Sequence, residues 1–309
     1  SGSSNSDAIT NIPTPKLVGT GEVDAQISVK IDNQTLTTTV GEDGNWSVDV
    51  ATLTTDGSYA YEVLQTDTAG NTSKVTSAFV LDTQMVQIQG GLSQVSDSGS
   101  STTDNITNIT QPRFNGTSEK QAAITLNIAG KIFTTTADTD GNWVIQVDQD
   151  LPEGEQAYTL NGTDQAGNSS AATGSITIDT TAPTPFTAAL NSASDTGVDS
   201  SDRLTKETKP TISGTGEAGA NVVMTINGQQ YTTTVANDGS WQVTVTDDLA
   251  DGDHTFTAVA TDAAGNSTQP LNGSFTIDTQ TFVSGGLAAL SDAGSSNGDS
   301  LTSEDAPTF

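Results

Sequence analysis

The chain has 309 residues, which is enough for about two or three domains. Nine basic residues stand against 38 acidic ones, and the net charge of −29 excludes binding to nucleic acid or to anionic membranes, which both require clustered Lys and Arg. With no cysteine, the chain cannot form disulfides, zinc thiolates or a thiol nucleophile. Two explanations of the acidity stay open: carboxylates that collect hard cations, or a charge that only keeps an exposed protein soluble.

The sequence contains no candidate membrane span, because no apolar run approaches the roughly 18 residues that one needs. Its first residues, SGSSNSDAITN, resemble a motif found again at Ser98–Asn108. We therefore expect the chain to begin inside a repeat, as a piece of a longer protein.

Similar stretches follow one another along the chain. Trp46, Trp143 and Trp241 each follow a turn of the type DGNW and are 97 and 98 residues apart. The motif TDxAGN, which begins at Thr66, recurs with the same spacings. This regularity predicts tandem domains of one type at 1–84 (lacking its start), 85–181 and 182–280, and the opening of a further one at 281–309.

Each repeat has the pattern of an all-β domain. In the third, apolar and polar residues alternate, with Trp241 and Val243 on one side and Gln242 on the other. Seven short strands in about 98 residues are typical of an immunoglobulin-like β-sandwich. The predicted strands are Thr184–Leu190, Pro210–Gly214, Val222–Asn227, Gln230–Val235, Trp241–Thr246, His254–Thr261 and Gly273–Asp278.

An odd number of strands makes the chain enter a sandwich at one end and leave it at the other. The predicted fold is therefore all-β, with tandem seven-strand immunoglobulin-like sandwiches arranged head to tail as a rod. The TDxAGN loop should face the preceding domain. The acidic loop after the first strand, SDTGVDSSD in the third repeat, should face the following one.

The TDxAGN aspartates are the first candidate ligands. Asp262 lies on the same side of its strand as Phe256, Ala258 and Ala260, so its carboxylate continues the core-facing row. A buried charge needs a partner, which can be a cation or a set of backbone N–H groups in an Asx-turn, and both readings stay open. The same placement holds for Asp67 and Asp164.

Further aspartates mark the joints and the acidic loops. Calcium prefers six to eight oxygen ligands, several of them carboxylates, and a convergence of these residues at a joint would supply them. The alternative is a set of solvated, capped loops. The joint residues are Asp82, Asp179 and Asp278, and the pairs that bracket the acidic loops are Asp97 and Asp104, Asp195 and Asp202, and Asp292 and Asp299.

Three positions depart from this pattern of candidate ligands. The third repeat has Arg203 and Lys206 where the second has Asn105 and Asn108, so we expect a ligand from those positions to be missing there. Asp56 belongs to a turn without any ligand motif, and we expect it to be an ordinary turn residue.

Other functional classes have little support. The tryptophans lie on the core-facing side of their strands, which indicates core packing and not a platform for carbohydrate binding. The repeated TTT segments occur once per domain, too far apart for a flat ice-binding array. His254 is the only histidine, no nucleophile is paired with a base, and a glycosidase-type carboxylate pair would not be repeated at every joint. We therefore expect no enzyme.

The order GTGE, DGNW, TDxAGN and IDTTAP resembles the bacterial Ig-like repeats of giant RTX-type adhesins that are exported by type I secretion, and the resemblance covers the whole chain. It implies a secreted cell-surface stalk with Ca²⁺ at the domain joints and the same aspartates as ligands. Asp82 and Asp278 are followed by Thr-Gln and not by Thr-Thr-Ala-Pro, so the resemblance is weaker at those two joints.

The resemblance also implies what the complete protein contacts. Other parts of it would bind a host-cell glycan or surface receptor, or the biofilm matrix, as in virulence or biofilm adhesion. This segment would be a monomeric rod that binds no nucleic acid and inserts into no membrane. Two functions stay open: a passive spacer stiffened by calcium, or repeats that themselves bind a glycan or a protein.

Overall fold

The computed structural model describes residues 2, 4 and 6–285, which form β-strands and turns without a helix. Within this part of the chain, nothing has the helical length and apolarity needed to span a membrane. Asp292, Asp299 and most of the predicted fourth domain lie outside the described residues.

The first repeat contains a five-stranded and a two-stranded sheet. The larger sheet has the order β1-β7-β6-β3-β4, and β2 pairs with β5 in the smaller one. Both sheets contribute to one core, which includes Trp46. The strands are β1 (Ile9–Thr10), β2 (Lys16–Thr20), β3 (Gln26–Ile31), β4 (Gln34–Thr39), β5 (Asn45–Asp49), β6 (Gly57–Thr66) and β7 (Thr72–Leu81).

The second repeat has the same plan with a third strand in the smaller sheet. Its sheets have the orders β12-β11-β14-β15-β9 and β13-β10-β8. The core contains Trp143 and Phe114, whose ring packs edge-on against Tyr158. The strands are β8 (Gln89–Leu92), β9 (Ile106–Thr107), β10 (Arg113–Thr117), β11 (Ala123–Ile128), β12 (Lys131–Thr136), β13 (Asn142–Gln146), β14 (Gly154–Thr163) and β15 (Ser169–Ile178).

The third repeat follows the second. Its sheets have the orders β17-β23-β22-β19-β20 and β16-β18-β21, and its core is built around Trp241. The tight hairpin expected at Asn227 and Gly228 is present, with left-handed φ angles of 51° and 80°. The strands are β16 (Ala189–Leu190), β17 (Leu204–Thr205), β18 (Thr211–Thr215), β19 (Asn221–Ile226), β20 (Gln229–Thr234), β21 (Ser240–Thr244), β22 (Gly252–Thr261) and β23 (Leu271–Ile277).

Successive side chains of a strand point to opposite faces of its sheet, and this alternation explains which residues form the cores. On β11, Ile124, Leu126 and Ile128 are buried, whereas the residues between them are partly accessible. The three tryptophans are all buried, as the sequence pattern predicts. These β-branched and aromatic residues suit a pleated surface with one face inside, which gives the all-β fold.

A two-residue strand after each acidic loop was not predicted. β9 pairs in parallel with β15, and β1 and β17 do the same with β7 and β23. The pairing places the joint aspartate beside the end of the acidic loop, because the Asp179 N–H donates to the Thr107 carbonyl at 2.9 Å. Two residues are too few to show a period in the sequence.

The first predicted strand of the third repeat is shorter than expected. Only Ala189 and Leu190 of Thr184–Leu190 form a ladder with β18. Pro185 has no N–H to donate. Thr187 contacts Thr215 outside a ladder, because its N–H donates to the Thr215 carbonyl at 2.9 Å and its hydroxyl accepts the Thr215 N–H at 2.8 Å.

The chain divides into two compact units. The first holds the first two repeats together with the segment Asp262–Asn266, and the second holds the remainder of the third repeat.

Candidate metal centre

The TDxAGN loop of the second repeat folds around its aspartate. Asp164 Oδ1 accepts the N–H groups of Gly167 and Asn168 at 2.7 and 2.8 Å, and its Oδ2 accepts the Asn168 side-chain amide at 2.8 Å. The loop thus forms the Asx-turn that the sequence left open. The aspartate is 3% exposed, so its carboxylate lies at the buried end of β14.

The other two loops have the same turn. Asp67 accepts the N–H and the side-chain amide of Asn71, both at 2.7 Å. Asp262 accepts the corresponding groups of Asn266 at 2.8 and 2.9 Å. These bonds lower the pKa of Asp67, chiefly through the Asn71 side chain. A carboxylate held by its own loop keeps a fixed direction, which is compatible with a ligand role as well.

The asparagine of the motif also holds the preceding joint. The Asn168 side-chain amide donates to the Asp82 carbonyl at 2.9 Å. The Asn266 amide donates to the Asp179 carbonyl at 2.8 Å, and both of these residues belong to the first unit. The TDxAGN loop therefore faces the preceding joint, as the strand count predicts. These asparagines were not among the predicted site residues, although the repeated motif contains them.

Three carboxylates meet at the first joint. One oxygen atom from each of Asp82, Glu119 and Asp164 lies within 4.8 Å of the others, and this is the one group of three potential metal ligands among the residues that the structure describes. Asp82 ends the first repeat, and the other two belong to the second. The sequence predicted the two aspartates and missed the glutamate.

Glu119 had a signal that could have identified it. It closes the segment GTSE, and Glu22 and Glu217 close the GTGE segments of the other repeats, 97 and 98 residues away. A carboxylate that recurs with the domain period, as the joint aspartates do, could have been added to the candidate ligands on that ground.

The electrostatics of this group favour a cation. Partial burial raises the pKa of Glu119, and the charges of Asp82 and Asp164 raise it further, against a smaller opposite effect of Lys120. A divalent cation would remove this repulsion. The donor set consists of oxygen atoms without His or Cys, which suits Ca²⁺ or Mg²⁺ and not zinc.

Asp179 and Asp262 form a related pair. Burial raises the pKa of Asp179, and the charges of Asp262 and Glu153 add to this effect. Both aspartates were predicted ligands, and both lie in the first unit. They occupy the positions that Asp82 and Asp164 occupy one repeat earlier.

The acidic loop of the second repeat contains a buried carboxylate with an unsatisfied oxygen. Asp97 is 4% exposed; its Oδ2 accepts the Asn105 N–H at 3.2 Å, and its Oδ1 has no partner. Burial raises the pKa of Asp97, and the neighbouring Asp104 carboxylate adds to the effect. An unpartnered buried acceptor is costly, so this oxygen is a second candidate position for a cation.

The third repeat reproduces this arrangement. Asp195 is 6% exposed, its Oδ1 is unsatisfied, and its Oδ2 accepts the Arg203 N–H at 3.0 Å. The donor is a backbone group, so the change from Asn105 to Arg203 leaves this contact intact. Both residues have left-handed φ angles, 61° and 65°.

The acidic loop of the second repeat also contacts the next TDxAGN segment within the first unit. Ser98 Oγ donates to the Ala264 carbonyl at 2.6 Å. A Cβ at Gly99 would lie 1.8 Å from the Ala263 carbonyl oxygen, so only glycine fits there. The acidic loop thus faces the following loop, as predicted.

The remaining predicted ligands that the structure describes belong to no group of three carboxylates, although Asp104 neighbours Asp97. Asp104 and Asp202 cap the turns before Ile106 and Leu204. Asp278 accepts the Gln280 N–H at 3.0 Å. Among the described residues, Asp67 belongs to no group of three potential metal ligands. Asp292 and Asp299 lie outside the described residues.

The interpretation of Asp56 as an ordinary turn residue was wrong. Its carboxylate accepts the N–H and the hydroxyl of Thr83, the residue after the joint Asp82, at 3.1 and 2.9 Å. Asp56 and Thr83 are 27 residues apart in the sequence, so a local turn motif cannot reveal that they are hydrogen-bonded.

His254 has a structural place. Its ring stacks on Phe275 at 5.6 Å and one ring nitrogen lies 2.7 Å from the Ala250 carbonyl oxygen. It is 9% exposed, which leaves it packed at the domain end.

Removing the buried charge of Asp97 is expected to stabilise the calcium-free protein. In Asp97→Asn the remaining side-chain oxygen can take over the bond from the Asn105 N–H, and the new amide can donate to Asp104, so we expect a gain of about 1–2 kcal/mol at pH 7 in urea denaturation. Because the folded-state pKa of Asp97 is raised, protonation stabilises the wild-type protein, and that stability is lost as pH rises through the raised pKa. The difference in the free energy of unfolding between wild type and Asp97→Asn should therefore shrink as the pH falls towards 4.

The matched control is Asp43→Asn, which removes an exposed turn carboxylate whose pKa is lowered, chiefly by its bond to the Asn45 side chain. This control should gain no stability at pH 7. Equal stability of wild type and Asp97→Asn at pH 7, or a gap that widens on acidification, would contradict the assignment.

The comparison with known proteins identifies the repeats. The bacterial Ig-like domain family matches residues 1–83, 85–180 and 181–279. Among curated proteins, none matches the sequence significantly.

Solved structures with a related chain include two bacterial adhesins. One is a Ca²⁺-stabilised adhesin that helps an Antarctic bacterium to reach out and bind ice (29% identity, 88% of this chain and 71% of that chain covered, TM-score 0.37). The other is a 1.5-MDa bacterial ice-binding adhesin studied for its retention at the host cell surface (26% identity, 88% and 93% covered, TM-score 0.37). A tetra-tandem repeat from the extending region of a large adhesion protein is 22% identical over 91% of this chain and 74% of that chain, with a TM-score of 0.33. With three consecutive matches over nearly the whole described chain, the protein belongs to the bacterial Ig-like domain family.

Proposed function

We propose that the chain is a calcium-stiffened spacer in a secreted bacterial surface adhesin. The observation that carries the proposal is the group Asp82, Glu119 and Asp164, in which the last strand of one repeat and two turns of the next bring their carboxylates together. A cation held there would tie consecutive repeats of the family together. The proposed function is structural, without catalysis.

Each residue of this site has its own support. Asp82 follows β7, and its carbonyl accepts the Asn168 amide. Asp164 is held by its Asx-turn, and Glu119 precedes β11 in a short turn. Ca²⁺ supplies a double positive charge and accepts several oxygen ligands at once. The protein contributes three carboxylates whose mutual repulsion the ion would relieve.

The predicted aspartates of the other joints and loops belong to the same proposal. Asp179 and Asp262 repeat the positions of Asp82 and Asp164, and Asp67 and Asp278 are their counterparts at the outer repeats. Asp97 and Asp195, with their unsatisfied buried oxygens, are the proposed ligands of the acidic loops, together with Asp104 and Asp202. The counterparts Asp292 and Asp299 complete the proposed set.

The spacer function follows from the charge and from the calcium concentration. With a net charge of −29, the chain repels itself, and the repulsion is strongest where carboxylates converge. Extracellular calcium modules commonly bind with dissociation constants of about 10⁻⁴–10⁻³ M. The joints would be loose inside the cell, where calcium is scarce, and stiff outside it. Adhesion to a host glycan, a surface receptor or a biofilm matrix would belong to other parts of the protein.

Calcium is expected to raise the melting temperature of the chain, and magnesium should raise it less because Mg²⁺ gives up its water reluctantly. A ligand present at about 100 times its Kd stabilises the folded state by about 2.7 kcal/mol. Calorimetric melting in EDTA, in millimolar calcium and in millimolar magnesium provides the measurement. Identical melting curves in EDTA and calcium would reject the metal centre.

Glu119→Gln is expected to weaken calcium binding at the first joint without unfolding the protein, because the side chain is exposed and loses only its charge. Isothermal titration calorimetry should show a lower affinity or one fewer ion per chain, and the melting temperature in EDTA should not fall. Glu42→Gln, an exposed turn residue of the first repeat, is the matched control. Indistinguishable calcium titrations for wild type and Glu119→Gln would exclude Glu119 as a ligand.

A further inference from the structure

A carboxylate in each repeat holds the first residue after the joint. Asp56 Oδ1 accepts the Thr83 N–H at 3.1 Å and the Thr83 hydroxyl at 2.9 Å, and its Oδ2 accepts the Gln84 side-chain amide at 3.1 Å. Thr83 and Gln84 directly follow Asp82. The turn before β6 therefore holds the two residues that follow the last strand of the first repeat.

The second and third repeats contain the same contact. Glu153 accepts the Thr180 N–H at 3.1 Å and its hydroxyl at 2.8 Å. Asp251 accepts the Thr279 N–H at 3.1 Å and its hydroxyl at 2.7 Å. The three acidic residues are 97 and 98 positions apart, which is the period of the domains. One of the three is a glutamate, so the contact persists although the side chain differs in length.

The local backbone allows this geometry. Each acidic residue precedes a glycine that begins the next strand, and these glycines have left-handed φ angles of 141°, 94° and 123°. The accepting carboxylate gains bonds from a backbone N–H and a hydroxyl together, and bonds to a charged acceptor are stronger than neutral ones. Consistent with this, the pKa of Asp56 is lowered, chiefly by the Gln84 amide, and the pKa of Glu153 and of Asp251 by the threonine side chains.

We propose that Asp56, Glu153 and Asp251 are positioning residues for the joints. Each clamps the threonine after the joint aspartate, and this clamp fixes the direction of that aspartate's carboxylate and carbonyl. The carbonyl of Asp82 already accepts the Asn168 amide, so a fixed peptide at this point aligns the joint with the next repeat. The inference rests on the proposed function, because the carboxylate that the clamp orients is a proposed calcium ligand.

The clamp is separate from the metal ligands. Asp56 is not part of the group formed by Asp82, Glu119 and Asp164. At the second joint the clamp residue lies close to a proposed ligand, since the charge of Glu153 is one of those that raise the pKa of Asp179. Asp56 therefore gives the cleaner test, because its removal leaves all proposed ligands in place.

The test compares the full chain with Asp56→Ala and with Asp43→Ala. The control removes a turn carboxylate of the same repeat that bonds only within its own turn, to Asn45. The first readout is ¹⁵N relaxation of Thr83 and Gln84 in calcium-free buffer. A clamped backbone has an order parameter of about 0.85, and we expect it to fall below about 0.6 in Asp56→Ala and to stay high in Asp43→Ala.

The second readout is calcium affinity at the first joint, followed through the amide signals of Thr83 and Glu119 during a calcium titration. Loss of a group that orients a metal ligand typically weakens metal binding by about tenfold or more, and we expect about tenfold in Asp56→Ala with no change in Asp43→Ala. Thr83→Val, which keeps the N–H and loses the hydroxyl, should fall between wild type and Asp56→Ala in both readouts.

The outcomes separate this inference from the proposed function. Unchanged relaxation of Thr83 in Asp56→Ala would overturn the clamp, whether or not calcium binds. Increased mobility with unchanged calcium affinity would overturn the positioning role and leave the metal centre standing. If the wild-type chain binds no calcium, the metal centre and the positioning role fall together, and the relaxation data still decide whether the clamp exists.

Discussion

Carboxylates that converge at a joint repel one another, and a counter-charge between them would relieve that repulsion. Asp82, Glu119 and Asp164 come from two consecutive repeats, and their oxygens lie within 4.8 Å of one another. Water screens such repulsion only in part when one member is buried, and Asp164 is 3% exposed. Lys120 opposes the repulsion only weakly at Glu119. A divalent cation, as proposed above, would satisfy all three carboxylates at once.

Hydrogen bonds hold the residues of the joints in place, and in Asp164 both carboxylate oxygens accept them. The Asx-turn fixes Asp164, the Asn168 amide reaches the Asp82 carbonyl, and the short pairing of β9 with β15 brings Thr107 to the Asp179 N–H. Asp56 and its counterparts hold the residue that follows the joint. Preorganisation of this kind lowers the entropy lost when a ligand binds. In the proposed spacer, this preorganisation would reduce the ordering that ion binding has to impose on the joint.

The part of the structure that repeats in the sequence was predictable. The spacing of the tryptophans and of TDxAGN predicted the repeated domains. The alternation that includes Trp241, Val243 and Val245 predicted which side of the strand faces the core. The buried positions of Asp164 and Asp262 followed from the core-facing row that each of them continues. Strand count gave the direction of the TDxAGN loop, and the Asn168 contact agrees with it.

What could not be predicted depends on contacts between distant residues. The partner of Asp56 is 27 residues away, and Glu119 meets Asp82 only after two sandwiches have folded. The two-residue strands β1, β9 and β17 are too short to leave a periodic signal. Arg203 donates the same backbone N–H to Asp195 that Asn105 donates to Asp97, and the sequence cannot show that this contact uses the backbone.

Small-angle X-ray scattering of the chain in EDTA and in millimolar calcium tests the spacer function most directly. If calcium stiffens the joints, the maximum dimension should increase and the distribution of dimensions should narrow when calcium is added. Glu119→Gln should show a smaller response at the same calcium concentration. Identical scattering profiles in EDTA and in calcium would contradict the proposal that calcium controls the stiffness of the stalk.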